Sequence, residues 1–295
     1  FETGDVIYSS PVVVNGVVYV GSFDKKLYAL NARTGKEEWS FETENCVYSS
    51  PAVVDGMLYF GPLDYRFYAL DIKTGKKEWS FRPYGTVQGS PASVNGIVYV
   101  GSANKKFKAI DALCGEEIWS FEGSNGYYSS PTVVEGVVYV GSLGNKLFAL
   151  NAETGKQIWS FETGGLIMSS PAVANGMLYV GSHDNKLHAL VVSTGRKEWS
   201  FETGGEIYGS PAVVKEIVYV GSIDHKLYAL DTNSGAEVWS FKAGHMIDSS
   251  PAIVEGVIYI GSRDKNLYAM NAKTGKKIWS FETEGRITSS PAVAD

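Results

Sequence analysis

Val12-Val13-Val14-Asn15-Gly16-Val17-Val18-Tyr19-Val20 is the stretch that decides the fold. Two β-branched and aromatic runs flank Asn-Gly, a pair whose residues both accept the positive φ of a tight hairpin turn. Working outward, Gly21 ends the second run. A polar loop, Phe23-Asp24-Lys25-Lys26, leads into Leu27-Tyr28-Ala29-Leu30. Thr34-Gly35-Lys36 turns the chain again. Glu37-Glu38-Trp39-Ser40-Phe41 then alternates polar and aromatic residues, as a half-exposed strand does. The unit therefore reads as four short strands, A to D, with no helical periodicity.

The unit recurs every 40 residues without a gap, and the 295 residues hold seven copies plus 15 more. Every tryptophan sits in one slot: Trp39, Trp79, Trp119, Trp159, Trp199, Trp239 and Trp279. Eight of the ten prolines share another, from Pro11 to Pro291. Four-stranded units of roughly 40 residues are the blades of an all-β β-propeller. The Gly and Pro positions exclude a helical array, and the hairpin turns exclude a parallel β-helix. The expectation is one domain over 1–295, with repeats 1–40, 41–80, 81–120, 121–160, 161–200, 201–240 and 241–280 and a partial copy at 281–295. Phe281–Asp295 repeats Phe1–Asn15, so strand A occurs eight times. This favours an eight-position ring: seven complete blades plus the inner strand of an eighth, with Phe1-Glu2-Thr3 supplying the end of that blade's D strand. A closed seven-blade ring is the alternative.

Composition narrows function. Charged residues are 20% and hydrophobic ones 44%, as in ordinary folded soluble proteins. The net charge of −6 argues against nucleic acid as a partner, because phosphate binding needs a positive field. No apolar run approaches the length of a membrane span. No signal peptide is present, but the sequence opens inside a repeat, which leaves room for an upstream leader or anchor. Cys46 and Cys114 fall at opposite ends of their blades and make no disulfide framework.

Differences between copies locate the candidate site. The A–B turns (Asn15-Gly16, Asp55-Gly56, Asn95-Gly96 and so on) and the C–D turns scarcely vary. Lys215-Glu216 is the exception and reads as a poorer turn. The D–A and B–C loops vary freely, and an antiparallel blade places both at one end. Loops on a rigid scaffold commonly carry function. The residue before Ser-Ser-Pro or Gly-Ser-Pro is the clearest case: Tyr8, Tyr48, Gln88, Tyr128, Met168, Tyr208, Asp248 and Thr288. These would ring the channel mouth, where tyrosines offer stacking surface and hydroxyls to a peptide or sugar. Simple packing of the mouth is the other reading.

Chemistry is sparse. His183, His225 and His245 fall on the variable loops and His188 within a strand, all at spacings unlike those of a metal site. Asp24, Asp64, Asp184, Asp224 and Asp264 recur in the B–C loop, where capping of the turn by the carboxylate is expected and cation binding between loops is the alternative. The repeated Ser-Ser-Pro is architectural, so no Ser-His-Asp arrangement is nominated, and no metal or cofactor is expected.

Ala29-Leu-Asn-Ala-Arg-Thr-Gly-Lys-Glu-Glu-Trp39, Tyr19-Val-Gly-Ser22 and Trp39-Ser-Phe41 resemble the tryptophan-docking motif of quinoprotein-type propellers, the PQQ-like repeat family. The resemblance covers the whole chain. It implies that each indole docks beside the Thr-Gly turn of an adjacent blade, and that eight blades are usual. It also implies an extracytoplasmic location. Members include PQQ-dependent alcohol dehydrogenases, the propeller lipoprotein of the outer-membrane β-barrel assembly machinery and sensor domains of membrane kinases. The dehydrogenases add long insertions, an adjacent Cys-Cys pair and acidic calcium ligands. This chain has no insertion and no Cys-Cys pair. The expectation is a non-enzymatic binding or scaffold propeller with a protein or peptide partner and a possible homo-oligomer through blade completion. A sensor or ectodomain of a longer membrane protein, a dehydrogenase fragment and a ligand-free repeat array are the alternatives.

Overall fold

A computed structural model describes residues 1–293 of the chain. The described residues form seven four-stranded antiparallel sheets of a β-propeller and no helix. Two compact units make up the chain: Phe1–Val138 with Leu150–Lys156, and Tyr139–Ala149 with Gln157–Val293.

The first blade shows how the repeat folds. Its strands are A, Val12–Val14; B, Val17–Gly21; C, Lys26–Asn31; and D, Glu37–Glu42. Asn15 at φ 51° and Gly16 at φ 77° close the A–B hairpin, with Val14 opposite Val17. At the C–D turn the Asn31 side chain accepts the N–H groups of Arg33 and Thr34 and the Thr34 hydroxyl. Gly35, at φ 67°, donates its N–H to the Asn31 carbonyl at 2.8 Å. This is an Asx-type cap whose last residue must be left-handed, the reason for the constant glycine. A bulge between Ala29 and Leu30 re-aims strand D, and the same shift recurs between Ala69 and Leu70 and between Ala229 and Leu230. Lys215 adopts φ 55° where other blades place Asn, Asp or Glu, and Glu216 follows it where they place Gly.

Strands B and C are buried and strand D is half-exposed, so the core lies between successive blades. In the first unit Tyr19, Leu27 and Ala29 pack on Leu58, Phe60, Tyr68 and Leu70, flanked by Trp39 and Phe41. In the second, Tyr179, Leu187 and Ala189 pack in the same way on Val218, Val220, Tyr228 and Leu230. Each fully buried side chain of this size contributes roughly 1.5–3 kcal/mol.

The tryptophans seal these layers. Trp39 Nε1 donates to the Ile72 carbonyl at 3.1 Å, and its ring lies over Gly75 so closely that a Cβ there would meet Cε3 at 2.6 Å. The same pair of contacts joins Trp79 to Ala112 and Gly115, and Trp119 to Ala152 and Gly155. In the second unit it joins Trp159 to Val192 and Gly195, Trp199 to Thr232 and Gly235, and Trp239 to Ala272 and Gly275. Trp279 is 43% exposed.

The segment that opens an eighth copy docks as its counterparts do. Ile287 packs on Gly261 as Ile247 packs on Gly221. The inner strand expected there would fall at 292–294; residues 291–293 form no strand, and 294–295 lie outside the described residues.

Candidate functional site

The D–A loop is pinned to its blade by two devices. One residue, Val47 in the first loop, is wholly buried against Gly21, where any side chain would collide with it. Val87 on Gly61, Ile207 on Gly181 and Ile247 on Gly221 repeat this. The first serine of Ser-Ser-Pro is the second device. Ser9 Oγ donates to the Gly21 carbonyl at 2.9 Å and accepts the Gly21 N–H at 2.8 Å. The next serine links blades: the Ser10 N–H donates to Ser50 Oγ at 2.7 Å, and Ser210 N–H to Ser250 Oγ at 2.8 Å. From Tyr48 to Asp248 the proposed ring residue lies between a buried residue and this stitched serine, which fix the backbone that presents it; at Tyr8 the preceding Ile7 is exposed, and at Thr288 the preceding Ile287 is half-buried.

The B–C loop is held by its aspartate. Asp24 accepts the Lys26 N–H and, through Oδ2, the Gly4 N–H at 2.8 Å and the Tyr28 hydroxyl at 2.7 Å. Asp224 does the same with Lys226, Gly204 and Tyr228, and Asp264 with Asn266, Gly244 and Tyr268. These carboxylates cap their own loops, as expected from the sequence. Burial and the bond to Asp24 push the Tyr28 phenol up to about 12. In the fifth blade His188 replaces the tyrosine, its Nε2 lying 2.9 Å from Asp184. Burial opposes ionisation of Asp184, yet the His188 ring and the Gly164 N–H hold its carboxyl down at about 2. Within the chain, the hydroxyl disappears where the aspartate does: Asn104 goes with Lys108 and Gly144 with Phe148. That i, i+4 pairing was readable in the sequence and marks the partner that the aspartate needs.

Seven of the eight ring residues are half-buried, and Tyr8 is exposed. They do not share one character. In the first unit Tyr8 stacks on Tyr48 with ring centroids 5.7 Å apart, and Phe23 of the B–C loop touches both, at 4.9 and 6.2 Å. Tyr8 is 43% exposed, and Val6 and Ile7 beside it are exposed too. This is an accessible aromatic platform. Gln88 and Tyr128 occupy the same slot in the following copies. In the second unit the slot turns polar. Tyr208 lies on the His183 ring at 4.3 Å, and His183 Nδ1 is 3.8 Å from Glu206. Burial lowers the His183 pKa against the pull of Glu206. It also raises the Tyr208 phenol, helped by a hydrogen bond to Glu206. Asp248 accepts Arg263 Nε at 2.8 Å and Nη2 at 2.7 Å. The rings of His225 and His245 stack at 5.3 Å. Met168 and Thr288 complete the series without joining either group. Among the described residues, no group of three or more His, Cys, Asp or Glu side chains could hold a metal ion.

The residues present do not fit a quinone cofactor. Six indoles are committed to blade docking, and the B–C loop aspartates described above are consumed by their own loops. Cys46 lies in a D–A loop and Cys114 in a C–D turn, so no cysteine pair forms. No helix among the described residues is long and apolar enough to cross a membrane.

Comparison with known proteins agrees with this architecture. Over 98% of this chain and 93% of the other, the fold superposes on BamB from Moraxella catarrhalis with a TM-score of 0.85 at 16% identity. The computationally designed Ika8 protein gives 0.88 at 17% identity, over 97% of this chain and 90% of the other. Quinohemoprotein alcohol dehydrogenase ADHIIG from Pseudomonas putida HK5 gives 0.85 at 17% identity, over 98% of this chain and 68% of the other. At these identities the likeness is one of fold, and it spans a dehydrogenase as well as BamB. No curated protein sequence matches the chain. The model of the outer membrane protein assembly factor BamB family matches residues 2–125, 108–209 and 202–295, and the chain therefore belongs to that family of PQQ-type propeller repeats.

Proposed function

We propose that this protein is a non-enzymatic propeller that binds a protein or peptide through its D–A and B–C loops, with Tyr8, Phe23 and Tyr48 as the principal anchor. The observation that carries this reading is the aromatic cluster of exposed Tyr8 with half-buried Phe23 and Tyr48, the last on backbone held by the Val47–Gly21 contact, with a serine stitch from Ser10 to Ser50. A rigid aromatic surface binds with little loss of conformational entropy, and such residues dominate interface energetics. The polar groups at Tyr208 and Asp248 would then select among partners by charge and hydrogen bonding. Family membership supports a location outside the cytoplasm and a role in assembly with other proteins.

The test is selection of peptides from a displayed library against the intact protein. Truncating a central aromatic anchor commonly costs 2 kcal/mol or more, so Tyr8→Ala with Tyr48→Ala should weaken selected peptides by roughly 30-fold. Thr74→Ala, at the opposite end of its blade, should leave them unaffected. Peptides that bind both variants alike would refute the aromatic anchor.

A further inference from the structure

In the second unit the side chain that opens a B–C loop lies against the ring residue that follows it. His183 meets Tyr208 with ring centroids 4.3 Å apart, where the first unit sets Phe23 against Tyr48. Two carboxylates stand around the pair. Glu206 lies 3.8 Å from His183 Nδ1 and hydrogen-bonds to the Tyr208 phenol. Asp248 is held by Arg263. The charges that act on the Tyr208 phenol are those of Glu206, Arg263 and Asp248, so these side chains form one cluster around it.

Two buried atoms of the cluster have no hydrogen-bond partner among the described residues: His183 Nε2 and Asp248 Oδ1. The side chains that carry them are 11% and 8% exposed. Arg263 directs both Nε and Nη2 at Asp248 Oδ2, and Oδ1 is left over. Both orphaned atoms are acceptors. Burial lowers the His183 pKa and so favours the neutral ring. A neutral imidazole keeps its proton on the nitrogen that faces a carboxylate, here Nδ1, and Nε2 then offers a lone pair. Buried acceptors left unmet are costly, and a donor that reaches them recovers that cost. Glu206 and Asp248 carry two negative charges against one positive charge on Arg263, an excess that favours a cation. A guanidinium fork seeks both oxygens of one carboxylate, and Arg263 already occupies Oδ2. An ammonium is compact, turns three donors toward separate acceptors and is attracted by an aromatic face.

We propose that His183, Tyr208 and Asp248 seat the ammonium group of a lysine side chain, one that belongs to the bound peptide and so rests on the peptide-binding reading above. The ammonium donates to Asp248 Oδ1 and to His183 Nε2. Both atoms are closed to solvent while the loops are empty, so a neighbouring side chain must swing aside to admit it. Tyr208, half-buried and packed against the His183 ring, is that side chain, and its ring then faces the cation.

Titration of acetyl-Gly-Lys-Gly-amide into the intact, isotope-labelled protein tests this by NMR. The tripeptide should bind saturably and shift the His183 Nε2 resonance as that nitrogen gains a donor. Asp248→Asn and His183→Phe should each weaken binding by roughly ten-fold or more, read from backbone amide shifts. His183→Phe keeps a ring against Tyr208, so it reports the lost acceptor even where Asp248→Asn fails to fold. The same tripeptide with ε-acetyl-lysine should not bind, and its arginine counterpart and n-butylammonium should both bind more weakly. No binding, an unmoved Nε2 resonance, variants that bind as the wild type does, or an acetylated or arginine tripeptide that binds equally would overturn the ammonium seat. n-Butylammonium binding as tightly as the tripeptide would make it a site for free amines and overturn its assignment to a peptide. The probe carries no aromatic side chain and does not use Tyr8, Phe23 and Tyr48, so failure of this seat and failure of the aromatic anchor give different results.

Discussion

The two ends of a blade obey different rules. At the end carrying the A–B and C–D turns, nearly every copy repeats the same residues in the same geometry, because an indole from the neighbouring blade must fit over one left-handed glycine. At the other end buried residues such as Val47 on Gly21 and serine stitches hold the backbone, yet the side chain between them changes from copy to copy. Tyr8 and Tyr48 form an aromatic platform there, and Tyr208 and Asp248 join polar groups. The difference teaches that repetition marks what packs, and variation on a fixed backbone marks what can meet a partner.

Substitutions at the constant end should give the largest stability losses. Trp39→Ala removes a ring from between blades and leaves the Ile72 carbonyl without its indole donor, for an expected cost of roughly 3–5 kcal/mol by urea unfolding. Gly75→Val should be at least as damaging, since its Cβ would enter the Trp39 ring at a backbone φ of 67°. If Trp279→Ala cost as much as Trp39→Ala, the contrast between docked and exposed indoles would be wrong.

The loop aspartates come next. Asp224→Ala loses bonds to Tyr228, Gly204 and Lys226 and should cost about 2 kcal/mol by thermal unfolding. Asp184 adds a pH signature. Its folded pKa of about 2 lies below the ordinary aspartate value, so its stabilisation is present above the unfolded value and is lost as pH falls through the folded one. The loss should amount to about 2 kcal/mol between pH 4 and 2, and His188→Phe should remove most of this acid sensitivity. The smallest expected effect is a gain. Replacing Lys215-Glu216 by Asn-Gly restores the turn pair of the first blade and should add about 0.5–1 kcal/mol, visible as a higher Tm.

The fold was legible because hairpin turns and β-branched runs recur at one period, so each local signal was read seven times. The docking of Trp39 on the Thr-Gly turn was legible only through family resemblance; nothing local to Trp39 points to Gly75. The i, i+4 link between Asp24 and Tyr28 was written in the sequence, since the pair changes together at Gly144 and Phe148. The groupings at the variable end were not legible. Tyr8 meets Phe23 across two loops, and His183 meets Tyr208 across two blades. Such contacts depend on how loops lean together, which no spacing encodes.

The central claim is that binding and stability reside at opposite ends of the blade, and one paired measurement tests it most directly. Urea unfolding and affinity for a library-selected peptide are measured on Tyr8→Ala with Tyr48→Ala and on Thr74→Ala. The account predicts that the tyrosine variant loses roughly 30-fold in affinity. Its stability should fall by less than about 1 kcal/mol. Thr74→Ala, which removes a hydroxyl bonded to Asp71 in the C–D turn, should lose stability and retain affinity. A tyrosine variant that unfolds as readily as Trp39→Ala while still binding the peptide would contradict it.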